Sequence, residues 1–160
     1  NNFGNLCQRV FSFIKKNCNN KIPENKNDNE TDKKLLDNLH KNVPNLINLM
    51  NKQNLNEYIK MVVNFSFEAN KYFNDSEPWA VKKKNPERMN SILNTVTQQI
   101  KNISILLYPI IPNSTIKVLK TININETDIK ISNILNQNIL VHDIELKNLE
   151  ILFTKIENDN

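Results

Sequence analysis

Glycine is almost absent: Gly4 is the only one in 160 residues. Loops that cradle phosphates need several backbone positions without a Cβ atom, so the Gly-rich nucleotide-binding motifs are excluded. Hairpin-rich β architectures lose their usual tight turns for the same reason. Cysteine is nearly as scarce. Cys7 and Cys18 are too few for a disulfide framework, and with His40 and His142 far away in sequence they make a poor zinc site. They read as reduced thiols of a cytosolic protein, with no metal bound. Apolar runs are short, well below the roughly 20 residues that span a bilayer, so no membrane partner is expected. No basic-then-apolar leader opens the chain, and nothing in it points to secretion.

Asparagine is the excess, with 32 residues, followed by Ile and Lys. All three have A- and T-rich codons, which fits an AT-rich genome better than a chemical role for the amide. Twenty-one basic against 17 acidic side chains leave a formal charge of +4, which permits nucleic-acid binding without demanding it. Hydrophobic residues at 39% and charged ones at 24% suit an ordinary soluble fold of one domain, residues 1–160.

The apolar residues recur with helical spacing. Phe3, Leu6, Cys7, Val10, Phe11 and Ile14 predict a first helix over about Phe3–Asn17. The chain starts inside that pattern without a methionine, so a fragment of a longer protein is expected, with a mature processed terminus as the alternative. Residues 19–30 contain almost nothing apolar and read as an exposed connector. Thr31 or Asp32 is then the expected cap of a second helix carrying Leu35, Leu36, Leu39, Val43, Leu46, Ile47 and Met50, which Pro44 should kink or divide. Asn54 caps a third, with Leu55, Tyr58, Ile59, Val62, Phe65, Ala69, Tyr72 and Phe73 on one face, ending at Asn74–Pro78. Pro86 opens a fourth, with Met89, Ile92, Leu93, Val96, Ile100, Ile103 and Leu107 as its stripe. Pro109 and Pro112 end it, and Asn113 or Ser114 starts a short fifth through about Leu119. Beyond Thr121 an irregular tail, a short helix and an extended piece ending at Leu149–Phe153, folds back over the core. The expected architecture is an all-α bundle of four to five helices.

No catalytic constellation stands out. Neither histidine neighbours a nucleophile motif, and neither has a Glu three residues before it as di-metal bundles require. A binding module is the better class. The unusual stretch is Glu77-Pro78-Trp79-Ala80-Val81 followed by Lys82-Lys83-Lys84, which sets the only tryptophan at a helix-ending corner beside three lysines. An indole there either plugs the end of the core or stacks on an unpaired base while the ammonium groups meet phosphates. Arg9, Lys15 and Lys16 form a second basic cluster on the first helix, which reads as solvated surface or as more phosphate contacts.

Several stretches together resemble the anticodon-binding domain of methionyl-tRNA synthetases. Phe3-Gly4-Asn5-Leu6, Arg9-Val10, Phe13 and Lys16-Asn17 are similar to that family's "LGNL…R…F…KN" opening helix. Phe67-Glu68-Ala69-Asn70-Lys71-Tyr72-Phe73 leading into Glu77-Pro78-Trp79 is similar to its "AN.Y…..PW" segment, Asn85-Pro86-Glu87-Arg88 to "DPER", and Ile105-Leu106-Leu107-Tyr108-Pro109-Ile110-Ile111-Pro112 to "LLxPxxP". Leu152-Phe153-Thr154-Lys155-Ile156-Glu157 resembles the "LFPRIE" end of the shorter bacterial enzymes.

The resemblance implies a helical domain of a cytoplasmic ligase that charges tRNA-Met with methionine using ATP. Its catalytic domain, with HIGH-like and KMSKS-like motifs, would precede this segment in the same chain and hold ATP and any zinc; this segment itself would be non-catalytic and carry no cofactor. The partner implied is the tRNA-Met anticodon loop. The family stacks an anticodon base on the tryptophan after a proline, matching Trp79 after Pro78, and reads bases with an Asn and an Arg one turn apart on the first helix. Ser12 and Lys16, with Gln8 one turn earlier and Arg9 as a source of guanidinium, are the placement considered for that pair. Lys15, Lys82, Lys83 and Lys84 are the expected phosphate contacts. Two other readings stay open: the anticodon-binding domain of another class I synthetase, and a helical module that binds protein through an apolar groove.

Overall fold

The computed structural model describes residues 2–140 and 142–147. Six helices follow in order: α1 (Asn2–Asn17), α2 (Glu30–Asn51), α3 (Leu55–Ser76), α4 (Pro78–Val81), α5 (Pro86–Leu107) and α6 (Pro112–Thr121). Three single 3-10 turns, at Glu126–Asp128, Ile131–Asn133 and Gln137–Ile139, complete the described chain. The fold is an all-α bundle, with one core cluster drawing on every helix of ten residues or more. No helix among the described residues is long and apolar enough to cross a membrane.

Helix α5 is the axis. Its apolar stripe is buried as the spacing predicts, but so are Ser91, Asn94, Thr95, Gln98, Gln99, Lys101 and Asn102 on its other sides. Gln99 faces α2, but irregular chain covers part of those sides, and its backbone needs partners there. The polar side chains of α5 provide them. Asn94 donates to the Pro23 carbonyl at 2.9 Å, Gln98 to Gln137 at 2.8 Å, and Ser91 Oγ accepts from the Asn27 amide at 2.8 Å. Lys101 Nζ donates to the carbonyls of Asn133 and Asn136, at 2.8 and 3.1 Å.

The segment expected as an exposed connector is therefore partly built in. Ile22 is fully buried and Pro23 is buried as well, while the stretch after them carries mostly exposed or half-buried side chains. The Ile22 amide donates to Ile144 O at 3.1 Å and its carbonyl accepts from Asp143 at 2.7 Å, which straps the C-terminal segment down. Single apolar residues gave no periodic signal there.

Helix α2 starts earlier than expected, and its cap is Asn29 rather than Thr31 or Asp32. Asn29 Oδ1 accepts from the Thr31 and Asp32 amides at 3.0 and 3.2 Å, and Asp32 returns a bond to the Asn29 amide at 3.1 Å. This reciprocal box satisfies donors that a helix start leaves unpaired. Pro44 does not divide α2, which runs unbroken to Asn51; the buried Leu39, Val43 and Leu46 around it hold both halves against the core. Asn54 caps α3 as expected, although Leu55 is 45% exposed rather than on the core face.

Pro112, at the first helical position, starts α6 ahead of Asn113 and Ser114, and the helix continues to Thr121. Beyond it the expected short helix is replaced by the three 3-10 turns, anchored by buried Ile124, Ile134, Leu140 and Leu146. The Leu149–Phe153 piece and the Leu152–Glu157 match lie outside the described residues.

Candidate nucleic-acid interface

The site is made where α3 ends. Glu77 adopts a left-handed conformation with φ 46°, which a non-glycine residue enters only at a cost. Pro78 follows as the first residue of α4 and is buried. This corner leaves Trp79 41% exposed, its indole packed against the ring of Phe73 at 5.7 Å between centroids and 76° between planes.

Phe73 is the hub. It is 2% exposed, and three other side chains meet its ring. Trp79 is one and Phe13 another, at 6.3 Å and 85°. The third is Arg9, whose guanidinium carbon lies 5.0 Å from the ring centroid. Arg9 also donates to the amide oxygens of Asn74 at 2.6 Å and Asn70 at 3.5 Å. Both acceptors are neutral, so these contacts fix the guanidinium without neutralising it. Beyond Trp79, Lys82 Nζ donates to Asn17 Oδ1 at 2.9 Å, tying α4 to the end of α1.

Of the residues singled out by sequence, the structure therefore brings Arg9, Trp79 and Lys82 to one surface across α1 and α4, with Pro78 buried at the corner. Lys83 and Lys84 continue it as exposed side chains. Lys16 lies seven residues after Arg9, about 20° from it around the helix, and shares its face. Ser12 is exposed about 60° away, while Gln8 and Lys15 turn away by about 100° or more. Sequence reading missed Phe73 and Phe13, which look like further members of core stripes, and Asn70 and Asn74. It also passed over Asn5, exposed and four residues before Arg9; that spacing was itself the available signal.

A buried ionic cluster lies at the start of α5. Arg88, in the first turn of α5, forms a fork to Asp32 at 2.6 and 2.7 Å and donates to the Asn27 carbonyl at 2.8 Å. The Tyr72 hydroxyl donates to the same carboxylate at 2.5 Å. Burial pushes the Asp32 carboxyl up, but the bonds from Arg88, Tyr72 and the Asn29 amide outweigh it and hold the group below the usual carboxylate range. Arg88 of the Asn85–Arg88 motif is thus a structural clamp. It ties the start of α5, and with it the Trp79 corner, to α2 and α3.

An all-α bundle that presents a fixed, half-exposed indole beside an unneutralised guanidinium and a row of lysines has the make-up of a helical module for single-stranded RNA. The comparisons with known proteins make the class specific. A family model described as the anticodon binding domain of methionyl tRNA ligase matches residues 22–160. The methionine–tRNA ligase of Rickettsia felis is 30% identical over 99% of this chain and 32% of its own length. A probable cytoplasmic methionine–tRNA ligase of Dictyostelium discoideum is 32% identical over the whole chain and 22% of its own. Among solved structures, the methionyl-tRNA synthetase of Mycobacterium tuberculosis in complex with methionyl-adenylate superposes with a TM-score of 0.88, at 21% identity, covering 96% of this chain and 30% of that one. This chain belongs to the family of methionyl-tRNA ligase anticodon-binding domains. It spans about a third or less of the length of these relatives.

Proposed function

We propose that this chain holds the anticodon loop of tRNA-Met for a ligase that joins methionine to that tRNA. The observation that carries the proposal is Trp79, half-exposed at a fixed corner and joined through Phe73 to Arg9. A loop base stacks on the indole, and the neighbouring bases splay out so that their edges can be read. Arg9 offers a planar fork of donors, and Asn5 one turn earlier offers an amide with both donor and acceptor. The pair Asn5 and Arg9 fits the family's Asn and Arg one turn apart better than Ser12 and Lys16, because Arg9 is the side chain that reaches Phe73. Lys16, Lys82, Lys83 and Lys84, with Lys15 at the edge, meet the loop phosphates.

Catalysis, ATP and any zinc belong to the remaining part of such a ligase, in the cytoplasm. Among the described residues no group of three His, Cys, Asp or Glu side chains converges.

The test follows Trp79 fluorescence while the chain is titrated with a hairpin carrying a CAU loop and, separately, one with a scrambled loop. Quenching by the CAU hairpin at lower concentration is the expected result, and Trp79→Ala should weaken binding by about 1–3 kcal/mol. Equal responses to the two hairpins would reduce the site to charge-driven binding, and no response would end the proposal.

A further inference from the structure

Phe67 is 58% exposed, more than any other aromatic among the exposed large side chains described here. It sits in a helix whose remaining aromatics, Tyr58, Phe65, Tyr72 and Phe73, are all buried, so its position is not a failure of core patterning. Helical register gives it an address. Asn74 follows it by seven residues and lies about 20° from it around α3; Asn70 follows by three and lies about 60° away. Asn70 and Asn74 are the residues that fix Arg9. Phe67 therefore belongs to the outer rim of the surface that holds Arg9. Asn70 also donates to the Asn2 carbonyl at 3.1 Å, so this rim borders the first turn of α1, on the far side of Arg9 from Trp79.

The rim offers a free ring face next to amide and guanidinium groups. A partner aliphatic surface would pair with a run of apolar residues. Here Val63, one turn earlier, is the only exposed apolar neighbour on the α3 face; Lys60, Asn64, Asn70, Lys71 and Asn74 surround it, Lys71 is paired with Asp75, and the half-buried Glu68 accepts from Asn38 and Asn64. Isolated aromatics set among cations and amides suit a nucleobase, whose π face stacks while its phosphate meets the cations. From Phe67 to the end of α3 at Ser76 the axis rises about 14 Å, and a stacked strand covers that distance in about four nucleotide steps.

We propose that Phe67 is a second stacking platform, which takes an unpaired base of the same RNA loop a few nucleotides away from the base on Trp79. The inference rests on the anticodon-loop reading above. It makes the recognition surface a strip along α3 with an aromatic at each end and Arg9 between them.

The test uses the 160-residue chain and CAU hairpins in which each loop nucleotide is replaced in turn by an abasic one. The parent protein should show sensitive positions for the base on Trp79 and for the bases read by Arg9 and Asn5, and one further position assigned to Phe67. Phe67→Leu, which keeps apolar area and loses the aromatic face, should weaken binding of the intact hairpin about fivefold to tenfold. It should also abolish the penalty at one abasic position while leaving the Trp79-dependent penalty intact. A role in folding alone would lower the melting temperature without changing the abasic profile. If Phe67→Leu leaves affinity and profile as in the parent while Trp79→Ala still weakens binding, the platform is overturned and the anticodon reading survives. If the parent shows no preference for the CAU hairpin, both fall together.

Discussion

The guanidinium of Arg9 lies over the ring of Phe73, 5.0 Å from its centroid, although the two residues are separated by most of three helices. Phe73 is buried while Arg9 and Trp79 are exposed, so one core residue sets the position of two surface groups. A cation over an aromatic face at an exposed site contributes about 0.5–1 kcal/mol, and the amides of Asn70 and Asn74 add further restraint. A side chain already held in place loses less freedom when a ligand arrives.

Replacing Phe73 with Leu tests that arrangement. Leucine keeps the site apolar, so the stability loss should stay near 1–2 kcal/mol. Without the ring, Arg9 loses its platform and Trp79 its edge contact. Trp79 emission in the free protein should shift to longer wavelength, and CAU-hairpin affinity should fall about tenfold. A variant with unchanged emission and affinity would show that Phe73 only fills space.

Arg9→Lys separates charge from shape. The substitution keeps one positive charge, so the dependence of binding on salt should not change. Lysine has no planar fork and cannot reproduce paired donation to a base edge. Discrimination between CAU and scrambled loops should therefore drop about tenfold while binding of the scrambled loop is retained. Intact discrimination, with binding of the CAU and scrambled loops about equally weakened or unchanged, would move Arg9 from base reading to phosphate contact.

The clamp at the start of α5 has its own signature. Arg88→Met leaves the 2%-exposed Asp32 carboxylate without its fork and should destabilise the protein by about 3–5 kcal/mol, read by denaturant unfolding. Asp32 has a depressed folded-state pKa, so its contribution is present above the unfolded carboxylate value near 4 and is lost as pH falls through the folded value. Asp32→Asn should lower stability at neutral pH and flatten the acid limb below about pH 4. Retention of the parent's acid limb in that variant would assign the limb to other carboxylates.

Much of this was legible from residue spacing, and the rest fails for physical reasons. The stripes of α1 and α5 could be read because apolar residues recur every three or four positions, and the Pro78-Trp79 corner because proline interrupts the pattern. Burial of α5 on every side could not be read. Asn94, Gln98 and Lys101 look like a solvated face until their partners, carbonyls at Pro23, Gln137, Asn133 and Asn136, are brought to them by the fold. The Asn29 cap was hidden by abundance, since asparagine stands almost everywhere a cap could be. Phe73 was assigned correctly to the core, but no local pattern tells a core aromatic from one that also positions its exposed neighbours.

Lys101 gives the last prediction. Its side chain is fully buried, and among the bonds described its ammonium is held by two backbone carbonyls of the segment that wraps α5. Burial disfavours the charged form and brings the pKa down to about 8 from the usual 10.5. The Lys101 charge acts in turn on His40, whose pKa is lowered by burial and by that charge and raised by Asp37. Between about pH 8 and 10.5 the unfolded chain binds this proton and the folded one does not, so stability should rise with pH through that window. The full gain would be on the order of 3 kcal/mol, reduced by whatever the neutral amine gives up in bonds to Asn133 and Asn136. Lys101→Met removes the titration and should flatten that rise, read as the difference in unfolding free energy between the two proteins at pH 7.5 and pH 10. Parallel curves would mean that the ammonium stays protonated in the fold, its carbonyl partners having compensated for the loss of water.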